Sequence, residues 1–329
     1  MNINTKHLFV INPKSFWRKS KQNQIVSNIH HFFRERNDNN YEIYVSRFPR
    51  DAVGFIPLFA KKLPEGTTLR IYAVGGDGIL FDCLNGMIRL ENAELAAIPY
   101  GYTNNFVRGF DKSEKIYFRH LAQQYTAPTI PMDVIRCGSQ YALNYCIIGS
   151  EAEAIYRAEK EREQWMEGQS FSRWLCRQLY SLFYVTNGIA ACSQKKFMLQ
   201  KYDIEIDGEK ISGAVQSLSV FNGPYYGGNW HPVSKAMPND GILDMLVIRN
   251  HGPLQALFLL PFYISDHYKM FFRNLTLKQG RKISIRSEDI LRICMDGIIF
   301  FESEFEMELL PAAIKFVDAS RYGYKGVQA

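Results

Sequence analysis

The sequence predicts an α/β domain with a mostly parallel sheet, followed by an antiparallel β-sandwich-like second domain. Three observations carry that expectation. Over the first 130 residues short apolar runs alternate with segments of helical spacing. Beyond that point the rhythm changes to short alternating strands separated by turn signals. The length, 329 residues, suits about two domains, and 47% hydrophobic against 22% charged residues provides a core and excludes a disordered chain.

The elements follow in order. Leu8 to Ile11 reads as a buried strand closed by Asn12-Pro13, and Ser20 to Arg36 as a helix. Tyr41 to Ser46 alternates as a second strand, and Val53 to Lys62 has helical spacing. Leu69 to Val74 is an unbroken apolar run entering Gly75-Gly76-Asp77-Gly78, with a helix from Ile79 to Leu90 behind it. Leu95 to Pro99 is the next strand, ending in Gly101-Tyr102-Thr103-Asn104-Asn105. A boundary is expected near Asp133, giving a first domain over 1–133 to which about 310–329 returns, and a second over 134–309. In the second, a helix from Glu153 to Val185 precedes strands at Tyr202–Ile206, Gln216–Asn222, Ile242–Ile248, Lys282–Arg286, Leu291–Met295 and Glu304–Leu309.

Charge narrows the partners. The net +6 lies wholly in residues 1–150, with 18 basic against 12 acidic groups, while the remainder carries 21 of each. Such an excess suits an anionic small ligand, an anionic membrane face or simply a solvated surface, and no basic run of the kind that tracks nucleic acid is present. Six dispersed cysteines without a CxxC pair read as reduced structural thiols. MNINTKHLFVIN lacks the apolar core of a signal peptide, and Leu254 to Ile264 is too short to span a bilayer. A cytoplasmic chain is expected, with a peripheral position at the membrane and a homodimer left open.

The strongest chemical signal is the Gly75-Gly76-Asp77-Gly78 turn. Glycines let a ligand approach the backbone, and the helix start adds free N–H groups and partial positive charge, which together hold phosphate. The spacing matches neither GxGxxG nor GxxxxGK[ST]. A carboxylate beside phosphates repels them unless it binds a metal or accepts a proton from the attacking hydroxyl, so Asp77 points to phosphoryl transfer. The plainer alternative is a glycine-rich turn with Asp77 as a helix cap.

Ile11-Asn12-Pro13-Lys14-Ser15, the GGDG turn, Pro99 to Arg108, Asn222 to Gly228 and Asp240-Gly-Ile-Leu-Asp244 occur in an order that resembles the diacylglycerol kinase catalytic-domain family, which includes bacterial lipid kinases and sphingosine kinases. The resemblance implies an α/β nucleotide-binding domain, a β-sandwich lipid domain, ATP as cosubstrate, magnesium and a lipid substrate. It places Asn12 and Ser15 at the nucleotide, Gly75, Gly76 and Gly78 at the ATP phosphates, and Thr103, Asn104 and Arg108 in the segment facing the nucleotide. It makes Asp77 the general base and associates Asp240 and Asp296 with magnesium. Arg18 and Lys19 are phosphate partners on charge grounds. Asn239-Asp240-Gly241 is equally a hairpin turn signal.

Three polar positions of the family pattern are changed: Ile79 stands for a hydroxyl residue, Asn105 for an acid, and Ile298 for the acid after Asp296-Gly297. A hard cation needs carboxylate oxygens, and Glu302, Glu304, Glu306 or Glu308 could supply one or simply form a solvated strand face. A stripe of Phe171, Trp174, Leu175, Leu179, Leu182 and Phe183 suits core packing or a membrane interface. Tyr225, Tyr226 and Trp230 suit the wall of a substrate cleft or ordinary strand ends. The alternatives to a lipid kinase are therefore a pseudo-kinase that binds lipid or nucleotide, and a NAD kinase-like enzyme with a soluble substrate.

Overall fold

The computed structural model describes residues 5–16, 19–101, 103–110, 116–166, 180–194, 202–211, 213–228, 230–249, 252–267, 274–320 and 323–327. The chain divides into two compact units, Met1–Val134 with Leu310–Ala329, and Ile135–Leu309.

The first unit runs β1 (Thr5–Ile11), α1 (Lys19–Glu35), β2 (Tyr41–Val45), α2 (Asp51–Ala60), β3 (Thr68–Gly75), α3 (Asp77–Met87), β4 (Ala93–Pro99) and α4 (Leu121–Thr126). All four strands are parallel, in the order β4-β3-β1-β2. Lys315 and Phe316, from the last strand of the chain, extend the sheet parallel to β4 at Glu94 and Leu95. Covering both faces is what gives β1, β3 and β4 their unbroken apolar runs. The α1 helix buries Ile25, Ile29, Phe32 and Phe33, a one-sided stripe, against Phe9, Tyr72 and Ile98 of the sheet. Phe9 and Tyr72 stack at 4.3 Å between ring centres.

Strand order also fixes where a ligand can enter. From β1 the chain moves to one side for β2 and then to the other side of β1 for β3, so the carboxyl ends of β1 and β3 flank a topological switch point. Open α/β sheets bind ligands at such points. Here those ends are Ile11-Asn12 and Gly75-Gly76.

The second unit is predominantly antiparallel. Its strands are β7 (Tyr145–Gly149), β10 (Val215–Phe221), β11 (Leu243–Arg249), β12 (Leu275–Gly280), β13 (Lys282–Met295) and the amino-terminal part of β14 (Ile298–Val317), ordered β12-β11-β10-β7-β13-β14. The hairpin β8 (Asp203–Ile206) and β9 (Glu209–Ile211) adds to β13, while β5 (Thr129–Cys137) and β6 (Gln140–Ala142) form another hairpin. The two strands expected at Lys282–Arg286 and Leu291–Met295 are one strand, interrupted by a register shift between Arg286 and Leu291. Helices α5 (Ser150–Met166), α6 (Tyr180–Cys192) and α7 (Pro253–Ile264) complete the unit. Of the helix expected over Glu153–Val185 the described residues carry α5 and the start of α6, residues 167–179 lie outside them, and the apolar stripe from Phe171 to Phe183 rests on residues or side chains outside those described. Cys83, Cys137, Cys146 and Cys294 are buried free thiols. Among the described residues no helix is long and apolar enough to cross a membrane.

Candidate active site

The loop after β1 and the turn after β3 pack against one another. The Asn12 side chain caps the short 3-10 turn Pro13–Ser15 by accepting the Lys14 N–H at 2.9 Å. A Cβ on Gly75, whose φ is +157°, would lie 2.7 Å from Ser15 Oγ and 2.8 Å from the Ile79 side chain. Asn12, Ser15, Gly75 and Ile79 are therefore brought together, and the buried Ile79 stands where the family pattern has a hydroxyl. Arg18 lies outside the described residues, and Lys19 opens α1 as an exposed residue.

The loop after β4 closes the other side. Gly75 C=O accepts the N–H groups of Tyr100 and Gly101, both at 2.8 Å. A Cβ on Gly101 would stand 2.1 Å from the Gly76 Cα, so the two loops touch backbone to backbone. Asn104, at φ +48°, braces this loop with its amide: its nitrogen donates to Gly101 C=O at 2.8 Å and its oxygen accepts the Gly101 N–H at 3.1 Å.

Asp77 is the first residue of α3, and its half-buried carboxylate turns toward the β4 loop. Thr103 donates its hydroxyl to Asp77 Oδ2 at 2.6 Å, and the Asn105 amide donates to the same oxygen at 3.2 Å. Burial pushes the Asp77 carboxyl above the usual aspartate range, against the opposing pull of Thr103, the Asn105 and Phe106 backbone N–H groups and the Arg108 charge. Arg108 is anchored in turn, its Nε donating to Thr103 C=O at 2.7 Å. The turn fits a phosphate: Gly76, the N-cap of α3, has no side chain to occupy the free N–H groups of the first turn, and Gly78 sits within that turn.

Asp240 and Asp296 lie in the second unit, where each shapes a turn. Asp240 is exposed and accepts the Ile242 N–H at 3.1 Å, ahead of Gly241 at φ +76°. Asp296 is buried. With Gly297 it makes the two-residue connection between β13 and β14, at φ +47° and +89°, and Met295 pairs with Ile298 across it. Its oxygens accept the backbone N–H groups of Leu143 at 2.7 Å, Asn144 at 3.1 Å and Tyr145 at 2.9 Å. Glu302, Glu304, Glu306 and Glu308 form the solvated face of β14, three of them paired with Arg286, Lys282 and Arg136. Among the described residues no group of three or more His, Cys, Asp or Glu could hold a metal ion, and magnesium commonly needs only one or two carboxylates beside phosphate oxygens and water.

The second unit holds a cavity of about 110 Å³ whose apolar walls include Ala154, Ile155, Ile189, Ile248, Leu259 and Leu260. Tyr226 and Trp230 line it and also pair with each other as an antiparallel bridge, whereas Tyr225 packs edge-on to His231. Glu151, in the first turn of α5, forms the polar end. It accepts the hydroxyls of Ser219, Tyr226 and Tyr263, the last at 2.6 Å. Burial pushes its carboxyl above the usual glutamate range, opposed by those three donors. Sequence reasoning passed over Glu151 because nothing local distinguishes it from the other acids of α5.

Comparison with known proteins bears on both units. Residues 6–137 match the model of the diacylglycerol kinase catalytic domain, and residues 172–318 match that of the YegS C-terminal NAD kinase beta sandwich-like domain. A Staphylococcus carnosus (strain TM300) protein named "Putative lipid kinase" is 24% identical over 251 residues, covering 75% of this chain and 76% of its own. A Staphylococcus aureus (strain JH9) protein of like name is 23% identical over 255 residues, with 75% and 76% covered. A crystal structure from Bacillus anthracis str. Sterne, titled a putative diacylglycerol kinase, superposes with a TM-score of 0.68 at 22% identity, covering 96% of this chain and 98% of that one. A second from the same source, titled as diacylglycerol kinases, gives 0.64 at 20% identity over 96% and 98%. At those identities the solved structures speak for the fold. The two matched models, in this order along one chain, give the protein a diacylglycerol kinase catalytic domain followed by a YegS C-terminal NAD kinase beta sandwich-like domain.

Proposed function

We propose that this chain is a lipid kinase that moves the terminal phosphoryl group of ATP to a lipid hydroxyl. The observation that carries the reading is the placement of Asp77: a carboxylate with a raised affinity for protons, held by Thr103 beside the open amino terminus of α3 at the switch point of the sheet. ATP supplies the phosphoryl group. Asp77 takes the proton of the lipid hydroxyl as that oxygen bonds to phosphorus and the bond to the leaving diphosphate breaks. The N–H groups at the start of α3 face the phosphates, and Asn12, Ser15 and Asn104 hold the loops that shape the turn. No step is assigned to a protein-held cation.

Two features of the second unit support a lipid as the acceptor. The cavity ending at Glu151 suits an apolar chain with a polar end. The outer face of α7 exposes Leu254 (80%), Leu257 (50%) and Phe258 (77%), which supports peripheral contact with lipid, while Leu259 and Tyr263 of the same helix face the cavity. Incubation with magnesium-ATP and a panel of lipid alcohols tests the reading. A phosphorylated lipid that disappears in Asp77→Asn is expected, and the absence of product from every lipid would count against catalysis.

A pseudo-kinase is the second reading, favoured by one observation: Asn105 spends an amide on Asp77 where the family pattern has an acid. It predicts ligand binding without turnover. Activity gained by the combined Ile79→Thr, Asn105→Asp and Ile298→Glu replacement would support it. Thermal stabilisation by NAD but not by lipid would instead favour the soluble-substrate alternative.

A further inference from the structure

We propose that Arg108 and Arg119 form a guanidinium clamp for a phosphate-class anion in the first unit. The two side chains line one cavity of about 330 Å³ together with Pro99, Thr103, Asn104 and Ile116. Each is oriented by its own loop: Arg108 Nε donates to Thr103 C=O at 2.7 Å, and Arg119 Nε donates to Pro99 C=O at 2.8 Å. Arg119 also lies over the Tyr100 ring, 5.2 Å from its centre. Anchoring through Nε leaves the terminal nitrogens of the Arg119 fork for a ligand, and that planar fork matches the oxygens of a phosphate.

Charge selects the ligand class. No carboxylate is among the described residues lining this cavity. Two like charges facing one cavity repel, and an anion carrying two or more negative charges relieves that repulsion better than a monocarboxylate does. The Thr103 hydroxyl is already committed to Asp77, so the positive charge for the anion comes from the arginines. The clamp deepens the lipid-kinase reading, on which it rests for its role in turnover: it names side chains of the first unit that would meet phosphate. The phosphate could belong to a nucleotide or to a phosphorylated lipid headgroup.

Calorimetric titration with pyrophosphate in EDTA tests the clamp without requiring catalysis. The full chain should bind pyrophosphate in the absence of divalent cations, and more weakly as salt rises. Arg119→Gln should weaken binding by about tenfold or more, with Arg119→Lys intermediate, because lysine keeps the charge and loses the fork. A merely structural role would produce neither the salt dependence nor the graded response, and circular dichroism checks that the exposed substitutions leave the fold intact. Competition by a non-hydrolysable ATP analogue assigns the phosphate to a nucleotide, and competition by phosphatidylcholine vesicles carrying phosphatidate assigns it to a headgroup. Equal affinity in wild type and Arg119→Gln, or no binding by the wild type, overturns the clamp. The two ideas fail separately: absence of product from every lipid sinks the kinase reading and leaves the clamp standing, whereas unchanged turnover in Asp77→Asn removes only the base.

Discussion

Thr103 donates its hydroxyl to Asp77 Oδ2 across a 2.6 Å hydrogen bond, joining the loop after β4 to the first residue of α3. The bond lowers the proton affinity that burial raises, so it helps set the pH at which the Asp77 carboxyl gives up its proton. Thr103→Val removes it. The acid limb of the pH–rate profile should then move to higher pH, and kcat at neutral pH should fall by about tenfold to a hundredfold. An acid limb that stays in place would show that Asp77 does not govern the rate.

Gly101→Ala should separate the two loops. Its new methyl would stand 2.1 Å from Gly76 Cα and 2.9 Å from Asn104 Oδ1, and backbone cannot yield as a flexible side chain does. We expect a loss of about 1–3 kcal/mol in a denaturation series, together with weaker binding of an ATP analogue. Unchanged stability would mean that the loops slide freely.

His7 makes the first unit sensitive to mild acid. Its ring is buried, meets the Tyr72 hydroxyl at 2.8 Å and stacks on Tyr125 at 4.8 Å. Burial, reinforced by Arg70, lowers its pKa from 6.5 to about 4. The unfolded chain then binds more protons than the folded one between those values, so stability is full above pH 6.5 and is lost as pH falls toward 4. The shift corresponds to about 3 kcal/mol at most. Urea midpoints measured from pH 7 to 4 check this, and a flat profile would contradict it.

Asp296 should prove a stability residue. Asp296→Ala strips the acceptor from three backbone N–H groups and puts alanine at φ +47°, at an expected cost of about 2–4 kcal/mol. Asp296→Asn tolerates the backbone and retains one acceptor, so it should lose less. The magnesium dependence of any activity should be the same in Asp296→Asn and wild type, and a raised requirement for the ion in that variant would restore Asp296 to the list of its ligands.

The parallel strands were legible because burial on both faces writes itself into the chain as the runs LFVI, RIYAV and ELAAI. Other elements were hidden for physical reasons. β7 is buried at every position, yet its five residues run straight into α5 without a turn signal. The register shift in β13 spans Ser287-Glu288-Asp289, which by composition is a loop. Gly76 and Asp77 could be picked out because they come within two residues of the apolar run of β3, and Thr103 only through the motif that carries the family resemblance. The Glu151 site could not, since its donors Ser219, Tyr226 and Tyr263 come from positions 68, 75 and 112 residues away. Arg119 is likewise placed by a carbonyl 20 residues earlier, a distance at which no local pattern operates.

The amide of Asn105 has a consequence for the resting protein. An acid at that position would put a second negative group beside Asp77, and such a pair must share a proton or recruit a counter-ion to stay close. With asparagine, the neighbour donates a hydrogen bond at 3.2 Å instead. Asp77 is thereby held by a donor at the position where a second acid would repel it.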